Sequence, residues 1–241
     1  MVFSSKFYIG YSDITKDFSI SNTAILKLFE NVASMHSRVA KDDINESDGR
    51  WFLTGYHVKI SKRPVYGETV TINTWSRDMK GVQSSREFEI YNEKGELCLI
   101  GISNWIRINA ATQRLERISS ELYQAYGSEP ERTNFNYSWI EKLKESESYD
   151  FEKEFHIERN FIDANNHMNN VYYLDLVTNI LPEDVYQKGD ANEFIIMYKS
   201  AIKYDETVNC GFAATPDGYC VTIKSQDKTE LKAVIKLSKS I

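Results

Sequence analysis

Asp163, Asn165 and His167 place a carboxylate, an amide and an imidazole at alternate positions of the run Asp163-Ala164-Asn165-Asn166-His167-Met168-Asn169-Asn170, just ahead of an apolar stretch. In an extended segment residues i, i+2 and i+4 project to one side, so the three side chains are expected to converge on one small volume. A helix opening at Asn169 or Asn170 would then offer unpaired backbone N–H groups to an oxyanion. A carboxylate, a proton carrier and oxyanion donors are what acyl transfer needs. The competing reading of the same residues is an Asn-rich turn that caps a helix, since Asn and Asp favour both turns and N-caps.

The elements that must hold these residues are visible in the hydrophobic pattern. Asn22 to Ala40 carries Ile25, Leu28, Phe29, Val32, His36 and Val39 at helical spacing. Asn170 to Ile180 reads as a second helix with Asp175 as its only formal charge and Pro182 beyond its end; a helix so poor in charge should be enclosed by other structure. An internal repeat joins the two regions: Tyr66-Gly67-Glu68-Thr69-Val70 recurs as Tyr204-Asp205-Glu206-Thr207-Val208, displaced by 204 − 66 = 138 residues. Alternating apolar strands follow each copy, with Asn92-Glu93-Lys94-Gly95 and Pro216-Asp217-Gly218 as hairpin-like turns. Each half therefore reads as a strand, a helix and several long antiparallel strands, an α+β plan. The polar, charge-rich stretch from Ala110 to Asp150 is expected to connect them with short helices, and the boundary is placed near Ser146, giving domains 1–145 and 146–241.

The run from Asp163 also resembles the D-x-N-x-H-x-N-N signature of the acyl-acyl carrier protein thioesterases. Trp51-Phe52-Leu53, Val58-Lys59-Ile60, Pro64, Gly67-Glu68, Val70, Ile72 and Thr74-Trp75 are similar to that family's first-domain strand pattern, and Arg86-Glu87-Phe88-Glu89-Ile90 with Gly95 continues it. The resemblance extends from about Tyr8 to about Lys236. It implies a tandem hotdog, each half a curved antiparallel sheet wrapped around a central helix, with hydrolysis of acyl thioesters in the second half and the acyl chain bound by the first. Asp163 would be the nucleophile or the base that activates water, His167 the proton carrier or carbonyl polariser, and Asn165 an orienting partner. Aligning the two helices sets Asp163, Asn165 and His167 opposite Asp17, Ser19 and Ser21, since 163 − 17 = 146, so the first half lacks the imidazole. Phe29, Val32 and His36, with Trp51 on the next strand, are the candidate chain-binding residues; the alternative is that they are core. His36 needs a hydrogen-bond partner if buried.

The chain departs from the family at one point. Relatives carry glutamate in a Tyr-x-x-Glu pattern after the second helix, and plant enzymes a cysteine next; here Tyr198-Lys199-Ser200-Ala201 is followed by Ile202. Either Asp163 and His167 suffice, or Glu206 or Asp205 reaches in from the next turn, or the protein binds acyl groups without hydrolysing them. Asp205 also stands where glycine would be usual. A hydrolase preferring coenzyme A esters and a dehydratase on the same fold remain alternatives.

Composition bounds the rest. The 241 residues are 41% hydrophobic and 13% aromatic, enough for a substantial core. Neither a membrane-spanning run nor a secretory signal is read, so the cytoplasm is expected. Cys98, Cys210 and Cys220 are odd in number and lack metal-ligand spacing; Cys210 is the least unsuitable of them as a nucleophile. No cofactor or metal is expected. His57 and His156 alternate with apolar neighbours and should face away from the core. The resemblance implies an acidic acyl carrier protein as partner, which a chain of net charge −6 would repel unless a basic patch receives it. Lys199 and Lys203, Lys62 and Arg63, and the spaced Lys228, Lys232, Lys236 and Lys239 are the candidates. Nucleic acid is disfavoured, because 29 basic residues are interspersed with 35 acidic ones. Monomer and homodimer are both left open.

Overall fold

The computed structural model describes residues 1–43 and 47–239. They form two compact units, residues 1–20 with 24–140 and residues 21–23 with those from 141 onward. In the first, β1 (Phe3–Tyr8), β2 (Gly49–Ile60), β3 (Thr69–Lys80), β4 (Gln83–Tyr91) and β5 (Leu97–Asn109) pair antiparallel in the order β1-β3-β4-β5-β2. In the second, β6 (Phe151–His156), β7 (Glu193–Tyr198), β8 (Thr207–Thr215), β9 (Gly218–Ser225) and β10 (Leu231–Ser238) pair in the order β6-β8-β9-β10-β7. The two plans are identical. β3 begins at Thr69 and β8 at Thr207, and 207 − 69 = 138, so the sequence repeat is a repeat of fold.

Each sheet carries a helix. In the first unit α1 (Asn22–Val39) buries Ile25, Leu28, Phe29, Val32 and His36. The Phe29 ring stacks on Phe88 of β4, with centroids 4.1 Å apart, and tilts against Tyr56 of β2 at 6.1 Å. Gly101 on β5 makes room for it, since a Cβ there would lie 2.4 Å from the ring. Burial of a side chain of this size contributes roughly 1.5–3 kcal/mol. In the second unit the predicted helix from Asn170 is a 3-10 turn, Asn170–Tyr172, that runs into α3 (Tyr173–Ile180). Five of the eight α3 residues are buried, which accounts for its lack of charge. A sheet with its central helix, twice over, is the tandem hotdog expected from the sequence.

The connection between the repeats holds less helix than expected. It contains α2 (Ser120–Tyr126), capped by Ser119, whose hydroxyl accepts from Leu122 N, and ended by Gly127 at φ 53°. The next stretch instead lies along the face of the first sheet opposite α1: Trp75 Nε1 donates to Arg132 O at 2.9 Å, Arg132 pairs with Glu89 at 2.7 Å, and Asn134 N donates to Glu87 Oε2 at 2.6 Å. Side-chain bonds to the sheet take the place of helical ones. His57 does face away from α1, but this cover buries it, and its ring bonds the Tyr137 hydroxyl. A short α4 (Glu183–Tyr186) follows Pro182.

The Tyr66 and Tyr204 turns share a geometry despite their different residues. Gly67 has φ 90° and Asp205 φ 69°. Ile9 N bonds Glu68 O and Gly67 N bonds Ile9 O; Ile157 N bonds Glu206 O and Asp205 N bonds Ile157 O in the same way. Aspartate tolerates the left-handed region better than most side chains, and Asp205 also lies 3.4 Å from His156.

Candidate functional site

The segment from Asp163 to His167 is a tight turn, not the extended strand assumed from alternation. Asp163 N donates to His167 O at 2.9 Å, Asn166 N to Asp163 O at 3.1 Å, and Asn166 is left-handed at φ 60°. Within the turn the Asp163 carboxylate meets the Asn165 side chain and, of His167, the backbone N–H. Asp163 Oδ1 accepts from Asn165 N at 2.7 Å and from His167 N at 3.4 Å, and Asn165 Nδ2 lies 3.4 Å from Oδ2. The carboxylate is thus oriented by its own backbone loop, as Asx turns do. Asp163 and His167 are half-buried and Asn165 is exposed.

The helix start offers fewer free donors than expected. Asn169 Oδ1 accepts from Val171 N at 3.0 Å and Asn169 O from Tyr172 N at 3.1 Å, while Tyr173 N bonds Val171 O. Of the first amides, only that of Asn170 has no acceptor among the described residues. The capping reading and the oxyanion reading therefore share one segment: Asn169 caps, and Asn170 N–H stays available.

Across from this turn, Met168 N donates to Ile202 O at 2.8 Å and so brings in the segment that holds Ala201. The carbonyl of Ala201 accepts from Lys232 Nζ at 3.1 Å. The Lys232 side chain is only 5% exposed, and its ammonium also lies 2.8 Å from Glu230 and 3.4 Å from Glu206. Lys232 is therefore an interior residue, not one of a row of surface lysines. Tyr173 faces the same region. Burial pushes its phenol up, and the charges of Glu206 and Asp163 add to the shift. Both carboxylates thus stand close enough to act on one buried hydroxyl. Tyr173 packs edge-on against Tyr198 at 5.1 Å, and the Tyr198 hydroxyl donates to Asn170 O at 2.9 Å. Sequence reading missed Tyr173 and the interior role of Lys232. For Tyr173 a signal existed, an aromatic at the first turn of a helix predicted to be enclosed.

Both halves of the chain match models of one family: residues 1–126 match the acyl-ACP thioesterase N-terminal domain and residues 144–239 its C-terminal domain. The chain belongs to the acyl-ACP thioesterase family. Among similar proteins, it is 22% identical over 232 residues to the palmitoyl-acyl carrier protein thioesterase of Cuphea hookeriana, covering 90% of this chain and 56% of that protein. With the oleoyl-acyl carrier protein thioesterase 1 of Arabidopsis thaliana it shares 24% over 169 residues, 66% of this chain and 46% of that one. The chain spans about half the length of these curated relatives. A solved acyl-ACP thioesterase from Bacteroides thetaiotaomicron superposes with TM-score 0.87 at 15% identity, covering 98% of this chain and 97% of that one. The 12:0-ACP thioesterase from Umbellularia californica gives 0.83 at 18%, covering 98% and 96%. At these identities the superpositions show the tandem hotdog fold.

Within this member of the family the first-half counterpart of the turn is displaced from the sequence alignment. Thr15 N donates to Ser19 O at 2.8 Å, Phe18 is left-handed at φ 62°, and Ile14 bridges Ile20 as Ile162 bridges Met168. Asp163 is thus opposite Thr15, not Asp17, with 163 − 15 = 166 − 18 = 148. His167 is then opposite Ser19. The strand offset is 138 and the turn offset 148, so the second half is 10 residues shorter between turn and strand; its helical run from Asn170 to Ile180 has 11 residues against the 18 of α1. The first turn has neither the carboxylate at the Asp163 position nor the imidazole.

Phe29, Val32 and His36 are fully buried on α1, facing the sheet. Trp51 does not join them; its Nε1 donates to Asp42 Oδ2 at 2.7 Å and Arg107 lies over its ring at 5.2 Å. His36 has the partner it needs, since Arg86 donates to its Nδ1 at 3.0 Å. None of the three cysteines is disulfide-bonded, and all are buried. Burial pushes the Cys210 thiol up to about 12, so it supplies no thiolate at neutral pH.

Proposed function

We propose that this chain hydrolyses fatty acyl thioesters carried on acyl carrier protein, releasing the free acid and the carrier thiol. The observation that carries the reading is the Asp163–His167 turn, with its backbone-oriented carboxylate and half-buried imidazole, in the C-terminal half of a chain whose two halves match the two domains of one thioesterase family. In this reading Asp163 attacks the carbonyl or activates water, His167 moves the proton, Asn165 orients the carboxylate, and Asn170 N–H stabilises the oxyanion. One such donor contributes about 3–4 kcal/mol in other acyl-transfer sites. The second half, 146–241, does the chemistry and the first, 1–145, binds the acyl chain through Phe29, Val32 and His36. Glu206, held at 3.4 Å from Lys232, is the carboxylate best placed to stand in for the glutamate that Ala201 replaces. The carrier docks on Lys199 and Lys203 beside the site. Lys62 is less suitable, being tied to Glu96 at 2.7 Å. Three buried free thiols suit a reducing compartment such as the cytoplasm, and no helix among the described residues is long and apolar enough to cross a membrane.

A second reading, an acyl-binding protein without turnover, is favoured by Ala201, which leaves no side-chain carboxylate at that position. Free-thiol release from a panel of acyl-carrier-protein thioesters separates the two. Hydrolysis predicts turnover that falls at least about 100-fold, roughly 2.7 kcal/mol, in both Asp163→Asn and His167→Ala. Acyl binding with no thiol release at any chain length rejects it, and faster release from coenzyme A esters would reassign the carrier.

A further inference from the structure

The face of the first sheet that α1 covers changes character along the strands. At one end Ile72, Ile90, Leu99 and Ile60 lie opposite one another on β3, β4, β5 and β2. Two rungs away the row is Ser76, Arg86, Ser103 and Tyr56, all buried, with His36 set above it by α1.

Two buried donors at this row, His36 Nε2 and the Tyr56 hydroxyl, have no acceptor among the described residues, and the Arg86 guanidinium between them lies over the Tyr126 ring at 5.5 Å. Arg86 has five N–H groups, and its side chain donates to His36 Nδ1 at 3.0 Å and Thr74 Oγ1 at 3.2 Å. Because Nδ1 accepts, His36 carries its proton on Nε2, which has no partner among the described residues. Burial, with the Arg86 charge, lowers the His36 pKa to about 3, so the ring is neutral at physiological pH. The Tyr56 hydroxyl is likewise unpartnered, and burial keeps it protonated. Of the nearby carboxylates, Asp42 is already taken by Arg107 at 2.9 Å, Trp51 at 2.7 Å and the Tyr126 hydroxyl at 2.9 Å, and Glu30, whose charge acts on Tyr56, makes no hydrogen bond to its hydroxyl. Buried unpaired donors cost about 1–3 kcal/mol each, and a native interior retains them where something else supplies the acceptor. Arg86 is 7% exposed, whereas His36 and Tyr56 are fully enclosed.

We infer that the row of Arg86, His36 and Tyr56 receives an oxygen function on the acyl chain itself, a hydroxyl, oxo or carboxylate group remote from the thioester. The protein then selects oxygenated acyl groups over plain hydrocarbon ones. This rests on the proposed reading that the first half binds the acyl chain.

Calorimetric titration of the full chain tests it with free acids: plain fatty acids of several lengths against hydroxy, oxo and α,ω-dicarboxylic acids of matching length. An oxygenated acid is expected to bind at least about 10-fold tighter than its plain counterpart. The hydroxy and dicarboxylic arms distinguish a neutral acceptor from an anion. Tyr56→Phe and Arg86→Met should each reduce that preference about threefold or more. Tyr56→Phe deletes only an unpartnered buried hydroxyl, so it keeps the test decisive if Arg86→Met fails to fold. Equal or tighter binding of plain acids, no binding of any acid, or a preference untouched by Tyr56→Phe overturns the inference. Thiol release from plain acyl-carrier-protein thioesters by the same preparation separates the two claims. Turnover without the preference sinks only the inference, and the preference without turnover sinks only the hydrolase.

Discussion

Burial holds the Cys210 thiol protonated at neutral pH, and a protonated thiol is a poor nucleophile. Cys210→Ser is therefore expected to leave the rate of thiol release within about twofold of the parent; a loss approaching that of His167→Ala would return Cys210 to the mechanism. Burial acts on His36 with a consequence for stability. Its folded pKa of about 3 lies below the ordinary 6.5, so below pH 6.5 the unfolded chain binds a proton that the folded chain refuses. Stability is full above about pH 6.5 and falls as pH drops toward 3. Urea midpoints measured at pH 7 and pH 5, a window above most carboxylate titrations, should show this loss in the parent and a smaller one in His36→Gln. That Asp163, Asn165 and His167 lie in one short segment was legible in the sequence. Their geometry was not, because alternate spacing assumed an extended chain and the left-handed Asn166 folds it into a turn.

At the level of elements, the repeat fixed the strand plan in advance, and the second half is the shorter because its helical run has 11 residues against 18. Asp205 occupies a left-handed turn position that Gly67 fills in the first half. Asp205→Gly should raise thermal stability by about 0.5–1 kcal/mol, since relief of backbone strain exceeds the added freedom of the unfolded chain; an unchanged or lower midpoint in a thermal melt counts against strain at that turn. Gly101 is the converse case. A Cβ there meets the Phe29 ring at 2.4 Å, so Gly101→Ala should push the ring off Phe88 and cost about 1–3 kcal/mol in denaturant unfolding. The connection between the repeats read as a long polar link with short helices; α2 is one, and bonds to Glu87 and Glu89 lay the stretch around Arg132 and Asn134 against the sheet. Those partners are more than 40 residues away in sequence, beyond the reach of a local pattern.

For the whole molecule, the proposed encounter with an acyl carrier protein would be governed by charge. A chain of net charge −6 meets an acidic partner productively only through a local positive patch, and screening at physiological salt limits its reach to about 8 Å. Lys199→Glu with Lys203→Glu should raise KM for acyl-carrier-protein substrates several-fold at low salt, with little change in kcat and a smaller effect at high salt. A salt-independent effect would assign those lysines a structural role instead.

The sequence by itself determined the repeat, the two helices and the family, because each is written in residue types at short or fixed spacing. The tertiary structure decided which polar groups are interior. Lys232 sits in a strand pattern that reads as surface, yet the Ala201 carbonyl and two glutamates draw it inward. Arg86, His36 and Tyr56 come from β4, α1 and β2 and meet only when strand pairing sets their register. Burial and partnership depend on residues brought together from distant parts of the chain, and no local pattern encodes that.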